Sequence, residues 1–438
     1  MLTQRLRRMM SGTTGRIFHG MARLALGGAA ARVVSLCTVP ILARLYTPAD
    51  YGLVAVYTAL VQMLLPVVAL RYPMAIPLPR RDEMALALFT LSCLLTLGIG
   101  ALVGVALFFL GPWLLDLFSA EALAPWWFLL PIGLLMAGFS EILNSWATRR
   151  RAYQLMAVNS VAAVLVGDGL KLGLGFLGVR PLGLLFGQMA NQSGGILRFT
   201  QVFLKDFRRI PKVVTRSRLL FIASFYKDYP IYRLPSQIIL VFTMQAPLLY
   251  TAKFYGIAVS GQLGLALTML ALPVAIIGQS IGRAYYAELA QLGRNRPEQI
   301  FSVTVKIQLL LFAAGIVPTL ALMFLGPLMF RIAFGPQWEL AGHYASLLSI
   351  YILLQFTSAP LMQLLNIYNR QRAFLVMNVL RAIAFVALCL AVTHFELSAE
   401  NYVRIYSLQM VVFYAAASIY ILYVAYQLKN SRSAISAR

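Results

Sequence analysis

Ala43-Arg44-Leu45-Tyr46-Thr47-Pro48-Ala49-Asp50-Tyr51-Gly52 interrupts one long apolar run and opens the next. Its turn chemistry is explicit: Pro48 fixes φ, Asp50 can bond its own backbone, and Gly52 restarts the apolar pattern. About half the chain later the same design returns as Ala252-Lys253-Phe254-Tyr255-Gly256-Ile257-Ala258-Val259-Ser260-Gly261. Both copies place a cation beside an aromatic ring at the end of an apolar helix, which is how interfacial anchors are built. One such stretch is common. Its repetition makes the chain two versions of one membrane unit.

Composition agrees. Of 438 residues, 60% are hydrophobic and 12% charged, against roughly 45–50% and 25% in soluble domains. Together with a mean hydropathy of +0.78 this identifies a polytopic helical membrane protein. The apolar runs are long and continuous, whereas barrel strands alternate over about ten residues, so a β-barrel is excluded. Cys37, Cys93 and Cys389 lie inside apolar runs and imply no disulfide framework. His19, His343 and His394 make no metal-ligand spacing, and no cofactor motif is present. The opening basic segment resembles a signal peptide, but Arg23 and Arg32 interrupt its apolar region. Residues 1–20 read better as an amphipathic lead-in, with Leu2, Leu6, Met9 and Met10 on the membrane surface.

At about 20 apolar residues each, twelve spans are expected in two sets of six. The first set lies near 21–45, 52–70, 84–110, 124–147, 152–176 and 181–203. The second lies near 230–250, 260–282, 300–325, 342–367, 373–395 and 401–427. Domains follow as a lobe over 21–203, a linker over 204–229, a second lobe over 230–427 and a tail over 428–438. Counting Lys and Arg by side gives 24 in the odd-side segments, including the N-terminus, against three (Arg180, Lys253, Arg331) in the opposite loops. The positive-inside rule then puts both termini in the cytoplasm and accounts for most of the +23 net charge without nucleic acid. Lys205, Arg208, Arg209, Lys212, Arg216 and Arg218 make the linker a solvated segment near anionic head groups.

Further paired landmarks recur in matching order. Leu110-Gly111-Pro112 ends the third span and Leu325-Gly326-Pro327 the ninth; Leu65-Pro66-Val67 in the second matches Leu272-Pro273-Val274 in the eighth. Leu143-Asn144 with Arg151-Ala152-Tyr153 matches Leu365-Asn366 with Arg372-Ala373-Phe374. Six spans per half is an even number, so the halves enter from one side and are parallel repeats.

Ten cations fall within the spans or their ends: Arg23, Arg32, Arg44, Lys171, Arg198, Lys227, Arg233, Lys306, Arg381 and Arg404. Glu141, Asp168 and Asp228 oppose them in the same regions. An ionisable group at mid-membrane costs at least about 2.5–3.5 kcal/mol on insertion scales, so it needs a partner or a polar cavity. Arg23, Arg44, Lys227 and Arg404 lie near helix ends and can snorkel. Arg32 is deep in the first span and Arg381 a third of the way into the eleventh. Asp168 and Lys171, three apart, share a face of the fifth; internal neutralisation and a functional site both fit them. Arg198, Lys306 and Glu141 sit at intermediate depth, and Arg233 depends on where the seventh span begins. The excess of cations would attract an anion into a water-filled cavity, and the Arg fork suits phosphate. Gln188, Asn191 and Gln192 on the sixth span either line that cavity or bind helices together. Pro40, Pro66, Pro131, Pro273 and Pro360 offer bending points.

Several stretches carry a resemblance. Ala43–Gly52, then Leu70-Arg71-Tyr72-Pro73-Met74-Ala75-Ile76, resemble the polysaccharide-biosynthesis flippases of the Wzx type. So do Tyr226-Lys227-Asp228-Tyr229-Pro230, Gln245-Ala246-Pro247, Gly261-Gln262-Leu263-Gly264-Leu265-Ala266 and Ala271-Leu272-Pro273-Val274. That family belongs to the multidrug/oligosaccharidyl-lipid/polysaccharide (MOP) exporter superfamily. The resemblance implies an all-α membrane protein with two six-helix lobes around a central cavity. It implies a bacterial inner-membrane flippase that moves an undecaprenyl-diphosphate-linked oligosaccharide (an O-antigen, capsule or exopolysaccharide unit) to the outer leaflet by ion-coupled alternating access. Membrane lipids, H+ or Na+, and glycan polymerase or chain-length regulator proteins are the implied partners. No catalytic residue carries over. Arg32 and Arg381 match the family's theme of cavity cations by chemistry and depth, with Lys171, Arg198, Arg233 and Lys306 behind them. Asp168 and Glu141 are the candidates for ion coupling. A drug/cation antiporter would want more intramembrane carboxylates than cations. A membrane glycan polymerase or ligase would want a long periplasmic loop bearing His, Arg or acidic clusters.

Overall fold

The computed structural model describes residues 13–117, 120–292, 297–368 and 370–436. The expected surface contacts of Leu2, Leu6, Met9 and Met10 lie outside these residues, as do Arg294 and Arg296. Almost everything described is helical, and eleven helices are long and apolar enough to cross a membrane. The chain forms two compact units, Met1–Ser260 and Gly261–Arg438.

In the first unit α1 (Thr13–Leu45) and α2 (Pro48–Val68) flank the opening landmark. Thr47 is the N-cap of α2 and Pro48 takes its first turn, where a missing N–H is harmless. The Asp50 carboxylate accepts from the Thr47 N–H at 2.9 Å, and the Asp50 N–H donates to Thr47 Oγ1 at 3.3 Å, a reciprocal capping box. Thr47→Ala should lower stability by about 1 kcal/mol, measured as a fall in the melting temperature of detergent-solubilised protein. The chain continues through α3 (Asp82–Leu117), α4 (Leu129–Arg149) and α5 (Tyr153–Phe176).

The sixth span departs from its expected form. It is two twelve-residue helices, α6 (Leu182–Ser193) and α7 (Ile196–Phe207), separated by Gly194 and Gly195 at φ +53° and +77°. Neither piece alone has the length of a span, which is why eleven long helices appear where twelve were expected. Left-handed backbone at two successive residues ends an α-helix, and glycine adopts it without strain. The Gly-Pro landmarks correct in the other direction: α3 runs through Gly111-Pro112 to Leu117, and α12 (Pro297–Phe334) runs through Gly326-Pro327. Membrane helices tolerate proline because neighbouring helices, Ser/Thr side chains and local backbone adjustment re-satisfy the groups it frees.

The segment 204–229 is not a free linker. Beyond α7 it includes α8 (Arg216–Phe225), and Phe199, Phe203 and Ile222 bury against the end of the bundle bearing Trp146. Phe207 stacks on Phe89 with centroids 4.5 Å apart, and Tyr72 Oη donates to the Ala223 carbonyl at 2.9 Å. Asp206 accepts from Trp146 Nε1 and pairs with Arg150 at 2.8 Å, while Arg149 pairs with Asp82 at 2.7 Å and Arg218 with Glu83 at 3.3 Å. Lys205, Arg208 and Arg209 stay exposed, so the segment is amphipathic and anchored on its apolar side. The seventh span, α9 (Leu234–Tyr255), packs against α2 inside the first unit, with Leu249 in the same apolar cluster as Leu53, Val56 and Tyr57. The division by contact therefore falls at 260/261, later than the sequence pattern places it at 229/230.

The second unit follows α10 (Ile257–Pro273) with α11 (Gln279–Leu292), α12, α13 (Glu339–Ser358), α14 (Gln371–His394) and α15 (Ala399–Ser436). α12 lies along α13 where Gly326 and Gly342 face each other. Gln262 ties the turn before α13 to α10: its Nε2 donates to the Gln337 carbonyl at 2.6 Å and its Oε1 accepts from the Ala341 N–H at 2.9 Å.

Candidate functional site

Asp168 is 3% exposed, in the middle of α5. Its carboxylate is held from three helices. Ser35 Oγ and Thr38 Oγ1 of α1 donate to Oδ2 at 3.1 and 3.0 Å. Lys171 Nζ donates to Oδ1 at 2.9 Å, and Asn191 Nδ2 of α6 reaches the same oxygen at 3.5 Å. The half-buried Tyr51 of α2, its hydroxyl oxygen closed to solvent, lies within Coulombic reach. Charged donors and hydroxyls together satisfy a carboxylate that could not remain ionised in hydrocarbon alone.

Small residues make this convergence possible. Gly167 and Gly187 face each other across α5 and α6; a Cβ on Gly167 would sit 2.7 Å from the Gly187 carbonyl oxygen and 2.9 Å from Asn191 Cγ. That close approach brings Asn191 to Asp168. The opening landmark holds the other side: Tyr46, 1% exposed, donates from its hydroxyl to the Lys171 carbonyl at 2.7 Å, under the Arg180 guanidinium 5.7 Å from its ring centre.

Asp168, Lys171 and Asn191 are thus brought together, while Ser35 and Thr38 were missed by the sequence reading. Hydroxyls on an apolar helix give no signal until the facing carboxylate is known. Arg32, half-buried, lies three residues before Ser35 on the same face of α1. Glu141 is committed at 2.7 Å to Arg71, a cation of the turn after α2. Gln188 and Gln192 lie one turn apart on α6, and Gln192 has both amide atoms buried without a partner among the described residues. Arg198 is exposed on the first turn of α7, and Arg233 is exposed in a single π-turn before α9. Lys306 is also exposed, lining a surface pocket with Glu288, Glu298 and Ser302. Arg404 pairs with Glu400 at 2.8 Å.

Arg381, in the second unit, is 6% exposed. Its guanidinium lies 5.1 Å from the centre of the Phe413 ring and engages the Tyr414 hydroxyl, which Gln355 also contacts. Gln409 donates to the Arg381 carbonyl at 3.4 Å. Tyr351 and Tyr406 close the surroundings, with Tyr351 stacked on Tyr414 at 6.0 Å.

Residues 41–342 match the model of a family described as polysaccharide biosynthesis protein. No curated protein matches the chain significantly. Among solved structures, an inward-facing multidrug-resistance MATE transporter of the MOP superfamily aligns with 93% of this chain and 95% of its own at TM-score 0.60 and 15% identity. A MOP-superfamily transporter from Pyrococcus furiosus, described as having a binding pocket of reversed polarity, aligns with 94% and 96% at TM-score 0.58 and 15% identity. An outward-facing MATE transporter aligns with 95% and 96% at 0.54 and 16%. At these identities the likeness shows the fold.

Proposed function

Since the chain belongs to the polysaccharide biosynthesis protein family and has the fold of MOP-superfamily transporters, we propose that it is a flippase for an undecaprenyl-diphosphate-linked oligosaccharide, driven by protons. It works in the bacterial inner membrane with both termini cytoplasmic. The observation that carries the reading is the Asp168–Lys171 pair, buried in a membrane span and ringed by Ser35, Thr38 and Asn191.

The geometry favours H+ over Na+ at that pair. Lys171 Nζ already occupies one carboxylate oxygen and two hydroxyls the other. A sodium ion on this carboxylate would stand a few ångströms from the ammonium, and like charges that close repel strongly where little water screens them. A proton instead removes the charge of Asp168 and releases Lys171. The freed lysine then needs a new anion, and the diphosphate of the cargo supplies one. Protonation loosens α1 and α6 from α5, and the return of the carboxylate draws them back. Arg32 is the principal candidate of the first unit for meeting the diphosphate and Arg381 that of the second, while Arg198, Arg233 and Lys306 are more exposed and suited to head groups.

Depletion of the protein in its own bacterium tests the cargo. The lipid-linked glycan should accumulate on the inner leaflet, inaccessible to periplasmic glycosidase, and surface polysaccharide should fall to background. Unchanged leaflet distribution combined with new sensitivity to cationic drugs would favour the antiporter reading instead.

A further inference from the structure

We propose that the break in the sixth span is a hydrated proton-release station lying between Asp168 and the cytoplasm; this rests on the proton-coupled reading above. Gly194 and Gly195, both in left-handed backbone, stop α6 at mid-span. Facing this gap is Asn159 of α5, 2% exposed, with Oδ1 and Nδ2 both buried and without a partner among the described residues. Its amide is aimed at the break: a Cβ on Gly195 would lie 2.8 Å from Asn159 Cγ and 2.9 Å from Nδ2. Ser140 of α4, itself 7% exposed, faces Gly194. Gln192, two residues before the break, adds a second buried amide with neither atom bonded among the described residues.

Each of these groups, left bare, would lose the hydrogen bonds it makes to water in the unfolded chain with nothing in return. The four side-chain amide atoms are two donors and two acceptors, so the ligand must both give and accept hydrogen bonds. The amide atoms are closed to bulk solvent, so it must also be water-sized. Water meets both conditions, and buried water takes about three such partners. Sodium would satisfy only the oxygens, and chloride only the N–H groups.

Position assigns the role. Asn159 lies nine residues from Asp168 along α5, about 13 Å by helical rise, on the side nearer Tyr153. The Lys and Arg count makes that side cytoplasmic. Asn191 bridges the two places, touching Asp168 and preceding Gln192 in the chain. The proton leaves the Asp168 carboxyl for water, the carboxylate regains Lys171, and the excess charge moves over the waters at the break. The neighbouring charges are already balanced: Glu141, next to Ser140, is paired with Arg71 at 2.7 Å. The amides hold and orient the water without titrating.

X-ray hydroxyl-radical footprinting of the full-length wild type in nanodiscs tests the hydration without any transport. Phe199, 0% exposed and bonded through its N–H to the Gly195 carbonyl, should be oxidised many-fold faster than Trp338, equally buried in the second unit. Asn159→Leu and Gln192→Leu should each lower that labelling several-fold. In proteoliposomes loaded with pyranine and supplied with lipid-linked oligosaccharide, both should slow proton release several-fold. Phe199 as protected as Trp338 would overturn the proposal, as would either variant with wild-type proton flux. Absence of proton flux in the wild type would instead defeat the coupling at Asp168, a failure visible apart from the labelling of Phe199.

Discussion

Asp168→Asn is expected to bring glycan export to background while the protein still reaches the membrane. The substitution keeps an acceptor for Ser35 and Thr38, whose hydroxyls now bond Oδ2 at 3.1 and 3.0 Å. It removes the partner of Lys171, whose side chain is 12% exposed. An uncompensated buried charge costs about 3–5 kcal/mol, so the single variant should also melt earlier. Loss of export alone would not separate a coupling site from internal neutralisation, the two roles the i,i+3 spacing left open. The double variant Asp168→Asn with Lys171→Met separates them. It removes both charges at nearly constant volume and should recover most of the lost thermal stability. Under the coupling reading it still fails to export, because nothing at the site can bind and release a proton. Restored export by a stable double variant would reduce the pair to a neutralised structural contact.

The pattern of the spans was legible because membrane helices declare themselves by length and hydropathy, and the turn between the first two declares itself by Pro48, Asp50 and Gly52. The break at Gly194-Gly195 was written in the sequence as well, yet two glycines in an apolar run also read as helix packing. What distinguishes a break from a packing stripe is what stands opposite. Here it is Ser140 and Asn159, residues 54 and 36 positions away from Gly194 and Gly195. The same holds for Asp168: its link to Lys171 is local and was visible, whereas Ser35, Thr38 and Asn191 come from other helices. The fate of 204–229 was hidden for a different reason. Its cations dominate its composition, but its structure follows Phe199, Phe203, Phe207 and Ile222, which face inward on a helical period while Lys205, Arg208 and Arg209 face out. Glu141 likewise looked mobile in charge until Arg71 folded back from the turn after α2 to meet it.

Arg381→Ala is expected to abolish export, and its graded variants show why. In the second unit the guanidinium rests against Phe413 at 5.1 Å and the Tyr414 hydroxyl, an arrangement that holds a cation in an apolar span beside an aromatic ring and a phenol oxygen. A desolvated contact of that kind contributes about 2 kcal/mol. If the residue recognises the diphosphate, charge and fork geometry both matter. Arg381→Lys then keeps the charge, loses the bidentate fork, and should export about ten- to hundred-fold more slowly, one lost charge-assisted contact being about 1.5–3 kcal/mol. Arg381→Met keeps the apolar stem and packing without charge, and should melt within a few degrees of Arg381→Lys yet export nothing. Arg32→Ala, at the face of α1 that carries Ser35, should behave like Arg381→Met. If Arg381 is a packing pillar instead, export will track melting temperature across the three Arg381 variants, with Arg381→Met as active as Arg381→Lys. Measuring leaflet distribution of the lipid-linked glycan and thermal stability on the same preparations therefore decides between recognition of an anion and support of the aromatic cluster.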